Sequence, residues 1–100
     1  MRDFKEIVKK QYSGPVLEGA VSCDVIAYMP IPKSVSKKKQ AMMMNGELRP
    51  CKTPDRTNIC KLYEDVIQGI VIENDSQIVD GVIEKWYSAT PRVEIKVEEL

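Results

Sequence analysis

The stretch TPDRTNICKLYEDVIQGIVIENDSQI, Thr53 to Ile78, decides how the chain folds, because it passes from a helix start to a strand start across one glycine. Pro54 cannot continue a preceding helix but suits the approach to one. Asp55 behind it is a good N-cap, its carboxylate accepting from backbone N–H groups that a first helical turn leaves unpaired. The helix is predicted to begin at Arg56 and to end at Gly69, which suits a left-handed cap. Ile59, Leu62, Val66 and Ile67 recur at helical spacing and define a buried stripe, while Asn58, Lys61 and Asp65 fall on a polar face. Ile70 to Ile72 has the β-branched composition of a short strand, with Glu73, Asn74 and Asp75 at its end. A helix packed on that strand is expected to bring Asp75 close to its own first turn, so that Asp55 and Asp75 can share one metal ion. Taken alone, each carboxylate also has a plain role, Asp55 as a cap and Asp75-Ser76 as a turn.

The spaced residues Pro54, Asp55, Asn58, Lys61, Asp65 and Gly69, then Asn74-Asp75-Ser76-Gln77-Ile78 and Lys85, resemble endodeoxyribonuclease RusA, the Holliday junction resolvase family of bacteria and their prophages. The resemblance is strongest from Asp55 to Lys85. It implies a homodimeric, magnesium-dependent endonuclease that makes paired cuts in four-way DNA junctions during recombination and repair, with no nucleotide cofactor. Two of the family's metal-binding carboxylates fall on Asp55 and Asp75, and its functional lysine falls on Lys61. The third carboxylate falls on Thr57, with Asn58 and Asp65 as supporting polar residues. Thr57 and Asn74 depart from the family's acidic pattern, which implies a weak magnesium site that needs high metal concentration or favours manganese. The alternative from another class is a catalytically weak or inactive relative that still dimerises and binds branched DNA. Members of the family begin with a strand and a basic, proline-containing loop. Here the numbering starts inside what reads as the following helix, so the sheet is expected to lack an edge strand, leaving an edge that another subunit can cover.

Composition bounds the rest. A chain of 100 residues with 43% hydrophobic content supports one domain, residues 1–100, around one core. No apolar run approaches the ~20 residues of a membrane span, and the N-terminus lacks the layout of a signal peptide, so a cytoplasmic protein without a membrane partner is expected. Histidine is absent, which removes the usual general base and the commonest transition-metal ligand. Cys23, Cys51 and Cys60 lack CxxC spacing, so neither a disulfide framework nor a zinc site is indicated.

The formal net charge is zero but unevenly laid out. Between Lys33 and Lys61, eight cations stand against Glu47 and Asp55, while from Leu62 onward Lys85, Arg92 and Lys96 stand against nine acids. Lys37, Lys38, Lys39, Arg49, Lys52, Arg56 and Lys85 are the candidate DNA contacts, because nucleic-acid affinity comes largely from cations on phosphates. A solvated loop kept soluble by lysines gives the same pattern.

Phe4, Ile7, Val8 and Tyr12 predict a short amphipathic helix ending before Ser13-Gly14-Pro15. Val21 to Met29 alternates as a half-buried strand stopped by Pro30 and Pro32. Ser34 to Asn45 is helix-compatible, with Ser34 or Ser36 as cap, and Met42, Met43 and Met44 cannot all share one face. Gly46 to Thr53 reads as a mobile loop. Gln77 to Tyr87 is expected to be a central strand with a bulge at Gly81, and Trp86 and Tyr87 to be core and rim residues. After a turn at Ser88 to Pro91, Val93, Ile95 and Val97 alternate with charges, predicting a hairpin that ends in an edge strand. The fold class is α+β, a single small domain with two or three helices on a mixed, mostly antiparallel sheet.

Overall fold

Alternation in Val21–Pro30 places Val21, Cys23, Val25 and Ala27 on one buried face of a strand, β1, in the computed structural model, which describes residues 4–52 and 54–100. Met1–Asp3, Thr53 and the Phe4 side chain lie outside the described residues, and with them the expectation about what precedes the first helix. The other elements are α1 (Phe4–Gln11), α2 (Lys37–Met44), α3 (Arg56–Ile67), β2 (Ile78–Asp80), β3 (Ile83–Ser88) and β4 (Arg92–Glu99). The α+β class and the single small domain are therefore as predicted.

β1 is the central strand. Its one edge pairs in parallel with β2, Val21 opposite Ile78, and then with β3, Val25 opposite Ile83. Its other edge pairs antiparallel with β4, Val25 opposite Ile95. Two of the three pairings are parallel, which corrects the expected mostly antiparallel sheet. The cause is the route of the chain: α2 and α3 carry it back to the start of β1 before β2 begins, as a parallel crossover must. The expected hairpin also gives way, because β4 does not pair with β3 but crosses to the far side of β1. Ser88 and the turn after it span that gap, with the Thr90 N–H and the Arg92 guanidinium donating to the Ser88 hydroxyl. Gln77 to Tyr87 thus supplies an edge, not the centre.

Between β2 and β3 the chain steps aside at Gly81, whose φ is 136°. A methyl group here would overlap the Cys23 carbonyl oxygen. The step lets the Val82 N–H donate to Asp24 Oδ1 at 3.0 Å while the Val82 carbonyl accepts from the Val25 N–H at 2.9 Å. So the expected irregularity at Gly81 is a break that keeps two short strands in register with one long one.

α3 covers the buried face of β1 with Ile59, Val66 and Ile67, whereas Leu62, expected in the same stripe, is exposed. It begins at Arg56 as predicted, and Gly69, with φ 86°, turns the chain after the Gln68 cap. Ile70 to Ile72 is not a strand. The Gly69 N–H donates to the Ile72 carbonyl at 2.6 Å and the Val71 N–H to the Ile67 carbonyl at 2.9 Å, so the run closes on itself and plugs the core with Val71 and Ile72. Lys5 of α1 donates to the carbonyls of Asp65 and Gln68, placing a cation where the helix dipole is negative. α2 starts at Ser36, whose hydroxyl accepts from the Lys39 N–H, and buries Met43 while exposing Met44.

The two glycines give a test of this register. Gly69→Ala meets no neighbour and should cost only the left-handed strain, about 1 kcal/mol. Gly81→Ala adds backbone overlap with Cys23 and should cost about 3 kcal/mol in urea unfolding. Equal losses for the two variants would contradict the placement of the β2–β3 break against β1.

Candidate nucleic-acid interface

Pro54 and Asp55 set the start of α3, with Asp55 extended at φ −69°, ψ 152° and its backbone carbonyl accepting from the Ile59 N–H at 3.0 Å. Its carboxylate makes no capping bond, which differs from the expectation for an Asp here and leaves both oxygens for other partners. Thr57, Asn58, Lys61 and Asp65 follow, all exposed, on the helix face away from Ile59 and Val66. Lys61 makes no ion pair among the described residues; Glu64, its neighbour on the helix, instead accepts from the Cys60 thiol at 2.9 Å.

Asp75 lies elsewhere. Its N–H donates to the side-chain carbonyl of Gln68, the C-cap of α3, at 3.3 Å, and it opens a single 3-10 turn, Asp75–Gln77, braced by Asn74 and Gln77. The Gln77 amide ties that turn to the carbonyls of Leu17 and Gly19 at the foot of β1. The 12 residues of α3 hold its two ends ~18 Å apart at 1.5 Å per residue. The structure therefore does not bring Asp55 and Asp75 together within one chain. The expectation that they share an ion assumed a short strand returning alongside the helix, and that segment is instead a closed turn at the C-terminal end. Among the described residues no three carboxylate or thiol groups gather as a ready metal site.

What does gather at the start of α3 is positive charge. The loop from Gly46 to Lys52 runs along the outer edge of β3. The Arg49 Nε donates to the Lys85 carbonyl at 2.7 Å, the Arg56 Nε to the Ile83 carbonyl at 3.0 Å, and the Lys85 ammonium to the Lys52 carbonyl at 2.6 Å. Arg49 also stacks over Trp86, 3.4 Å from the ring centre. Each arginine spends one N–H on the strand edge and keeps its remaining donors. Lys37, Lys38 and Lys39 are exposed at the start of α2, the helix that packs on β3. So Arg49, Lys52, Arg56 and Lys85, scattered in sequence, share one edge of the molecule, and Lys37 to Lys39 lie on the helix packed against that strand. The uncapped N–H groups at the start of α3 add to the same field. The arginine clamp on β3 and the Arg49–Trp86 stack had no signature in the linear pattern, in which Trp86 reads only as a core or rim residue.

Cys23 and Cys60 are held away from the chemistry. Burial, reinforced by Glu64, Cys60 and Asp24, pushes the Cys23 thiol up to about 11, and burial with the bond to Glu64 pushes Cys60 up to about 11. Both stay protonated near neutral pH, so neither is a nucleophile or ligand there.

The family described as endodeoxyribonuclease RusA matches residues 1–98. The chain belongs to the RusA family. That family comprises Holliday junction resolvase-type endonucleases, typically dependent on divalent metal. The chain is also similar to the uncharacterized protein YqaN of Bacillus subtilis (strain 168), 42% identical over 87 residues, which are 85% of this chain and 61% of that protein. It thus spans about three fifths of that relative's length. No solved structure matches. No helix among the described residues is long and apolar enough to cross a membrane.

Because Trp86 is the one tryptophan of the chain, its fluorescence reports the clamp. Arg49→Lys keeps the charge but loses planar stacking, and should shift the emission toward that of a water-exposed indole. Lys52→Ala should leave the spectrum unchanged, since only the Lys52 backbone carbonyl is used. Unchanged emission in Arg49→Lys would remove the stack.

Proposed function

We propose that this RusA-family chain is a structure-selective endodeoxyribonuclease that cleaves four-way DNA junctions with magnesium and works as a homodimer. One observation carries the reading: an uncapped Asp55 sits at the start of α3 beside Arg49, Lys52, Arg56 and Lys85. Phosphates are drawn by the cations and by the helix N-terminus, and they bring the negative charge that a lone carboxylate lacks. Magnesium is commonly held by one or two carboxylates together with substrate phosphates and water, and Asp55 with Thr57 nearby meets that pattern at its lower limit. When bound, the ion supplies an activated water and charge neutralisation on the phosphoryl oxygens. Lys61 lies about six residues along the same helix, ~9 Å of axis, and its long side chain reaches back to stabilise the leaving oxygen. Arg49 and Arg56, braced on β3, orient the strand that is cut. Asp65 is too far along α3 to join them.

Asp75, at the other end of α3, enters this scheme only from a second protomer. A weakly active relative that binds branched DNA is favoured by the single carboxylate at the site and is separated by the same experiment. Asp55→Asn should lower cleavage of a synthetic four-way junction at least ~100-fold while junction binding holds or tightens. Replacing Lys37, Lys38 and Lys39 together should instead weaken binding at all sequences and make the salt slope shallower by up to ~2.7. Thr57→Asp should raise metal affinity and cleavage. Cleavage undiminished in Asp55→Asn would end the proposal; cleavage lost in Asp75→Asn as well would mean that the two carboxylates reach one ion from different protomers.

A further inference from the structure

The backbone around Asp75 is held by side-chain amides. Four consecutive N–H groups are each taken by one: Glu73 and Asn74 donate to Gln77 Oε1, both at 2.8 Å, Asp75 to Gln68 Oε1 at 3.3 Å, and Ser76 to Asn74 Oδ1 at 2.9 Å. Gln77 does more than accept. Its Nε2 donates to the carbonyls of Leu17 at 2.8 Å and Gly19 at 2.9 Å, in the loop that leads into β1. One half-buried planar amide thus uses its donors and its acceptor together to join two loops. The Leu17 N–H donates in turn to the carbonyl of the buried Val71 at 2.8 Å, so the frame rests on the core.

The Asp75 carboxylate takes no part in this. An aspartate in a turn commonly uses its own side chain to accept nearby N–H groups. Here Asn74, Gln77 and Gln68 have taken those donors, and among the described residues the exposed Asp75 carboxylate has no hydrogen bond or ion pair. Water can pair N–H groups at an exposed turn, so satisfying them does not require three amides. What the amides add is a fixed backbone, tied to α3, to the foot of β1 and to its own turn, that leaves both carboxylate oxygens available.

We propose that Gln77 is a positioning residue for junction cleavage: together with Gln68 it sets the backbone of Asp75 so that the carboxylate is presented to the reaction in one orientation. The proposal rests on the junction-cleaving reading above, in which Asp75 enters from a second protomer. The amides carry no charge, so their contribution is to geometry and not to affinity for DNA.

Cleavage of a synthetic four-way junction by full-length variants tests it, with circular dichroism to confirm folding at the assay temperature. Gln77→Glu keeps the size of the side chain but loses both donors toward Leu17 and Gly19. It should speed amide hydrogen exchange at Glu73 and Asn74 about tenfold, a readout of the frame that needs no activity. It should also lower kcat about tenfold with KM for the junction unchanged, as misplacement of a reacting group does. Asp75→Asn should lower kcat at least ~100-fold, and adding Gln77→Glu to it should cost nothing further, because the group being positioned is gone. Gln68→Leu, which removes the bond to the Asp75 N–H, should repeat this pattern, and it decides the matter if Gln77→Glu does not fold. Unchanged kcat in the single variants, losses that multiply in the double variant, or full cleavage by Asp75→Asn would each overturn the inference and leave cleavage at Asp55 standing. A parent that cleaves no junction overturns both.

Discussion

β1 is bonded through both edges and buried along one face, and that double demand places everything else. Val21, Cys23, Val25 and Ala27 need a helix over them, which α3 supplies with Ile59, Val66 and Ile67. The parallel partners on one edge require the chain to return to the foot of β1 before β2 begins, so α3 must run the length of the strand in the opposite sense. Its start therefore lies beside Ile83 and its end beside the turn that carries Asp75. The separation of the two carboxylates follows from this crossover and is not a local accident of either loop.

The same crossover explains why charge accumulates where it does. Leaving α2, the chain reaches the start of α3 by running along the outer edge of β3, and an open strand edge presents carbonyls that need donors. Arg49 and Arg56 fill that need and in doing so hold their remaining donors outward in a fixed orientation. A cationic surface built on braced arginines loses less freedom on meeting a phosphate than one of free lysines. Asp55 is an acid placed beside these cations at the helix start, and its uncapped carboxylate is what makes this cationic edge a candidate for metal-assisted hydrolysis.

Much of this was legible in the residues. Pro54-Asp55 and Gly69 bound α3 correctly, Ser36, one of two candidate serines, marks the start of α2, and the alternation from Val21 gave β1. The spaced motif from Asp55 to Lys85 identified the family over a chain that matches it through residue 98. What failed was pairing. Val93, Ile95 and Val97 alternate equally well against β3 or β1, and nothing local says which; the choice was made by the free edge of β1. Ile70 to Ile72 has strand composition but sits too close behind a left-handed glycine to extend. The meeting of Asp55 and Asp75 was read from a short connection, when the length of the helix between them was the quantity that mattered.

On the function proposed above, a divalent metal binds at the start of α3, with Asp75 outside that site in each chain. Paramagnetic broadening by manganese in a two-dimensional amide NMR spectrum measures this without needing activity. Titrating the isotope-labelled protein with manganese alone should broaden the amides of Asp55 to Asn58 first and leave those of Asn74 to Gln77 sharp. Broadening centred on Asn74 to Gln77, or equal at both ends of α3, would contradict the account.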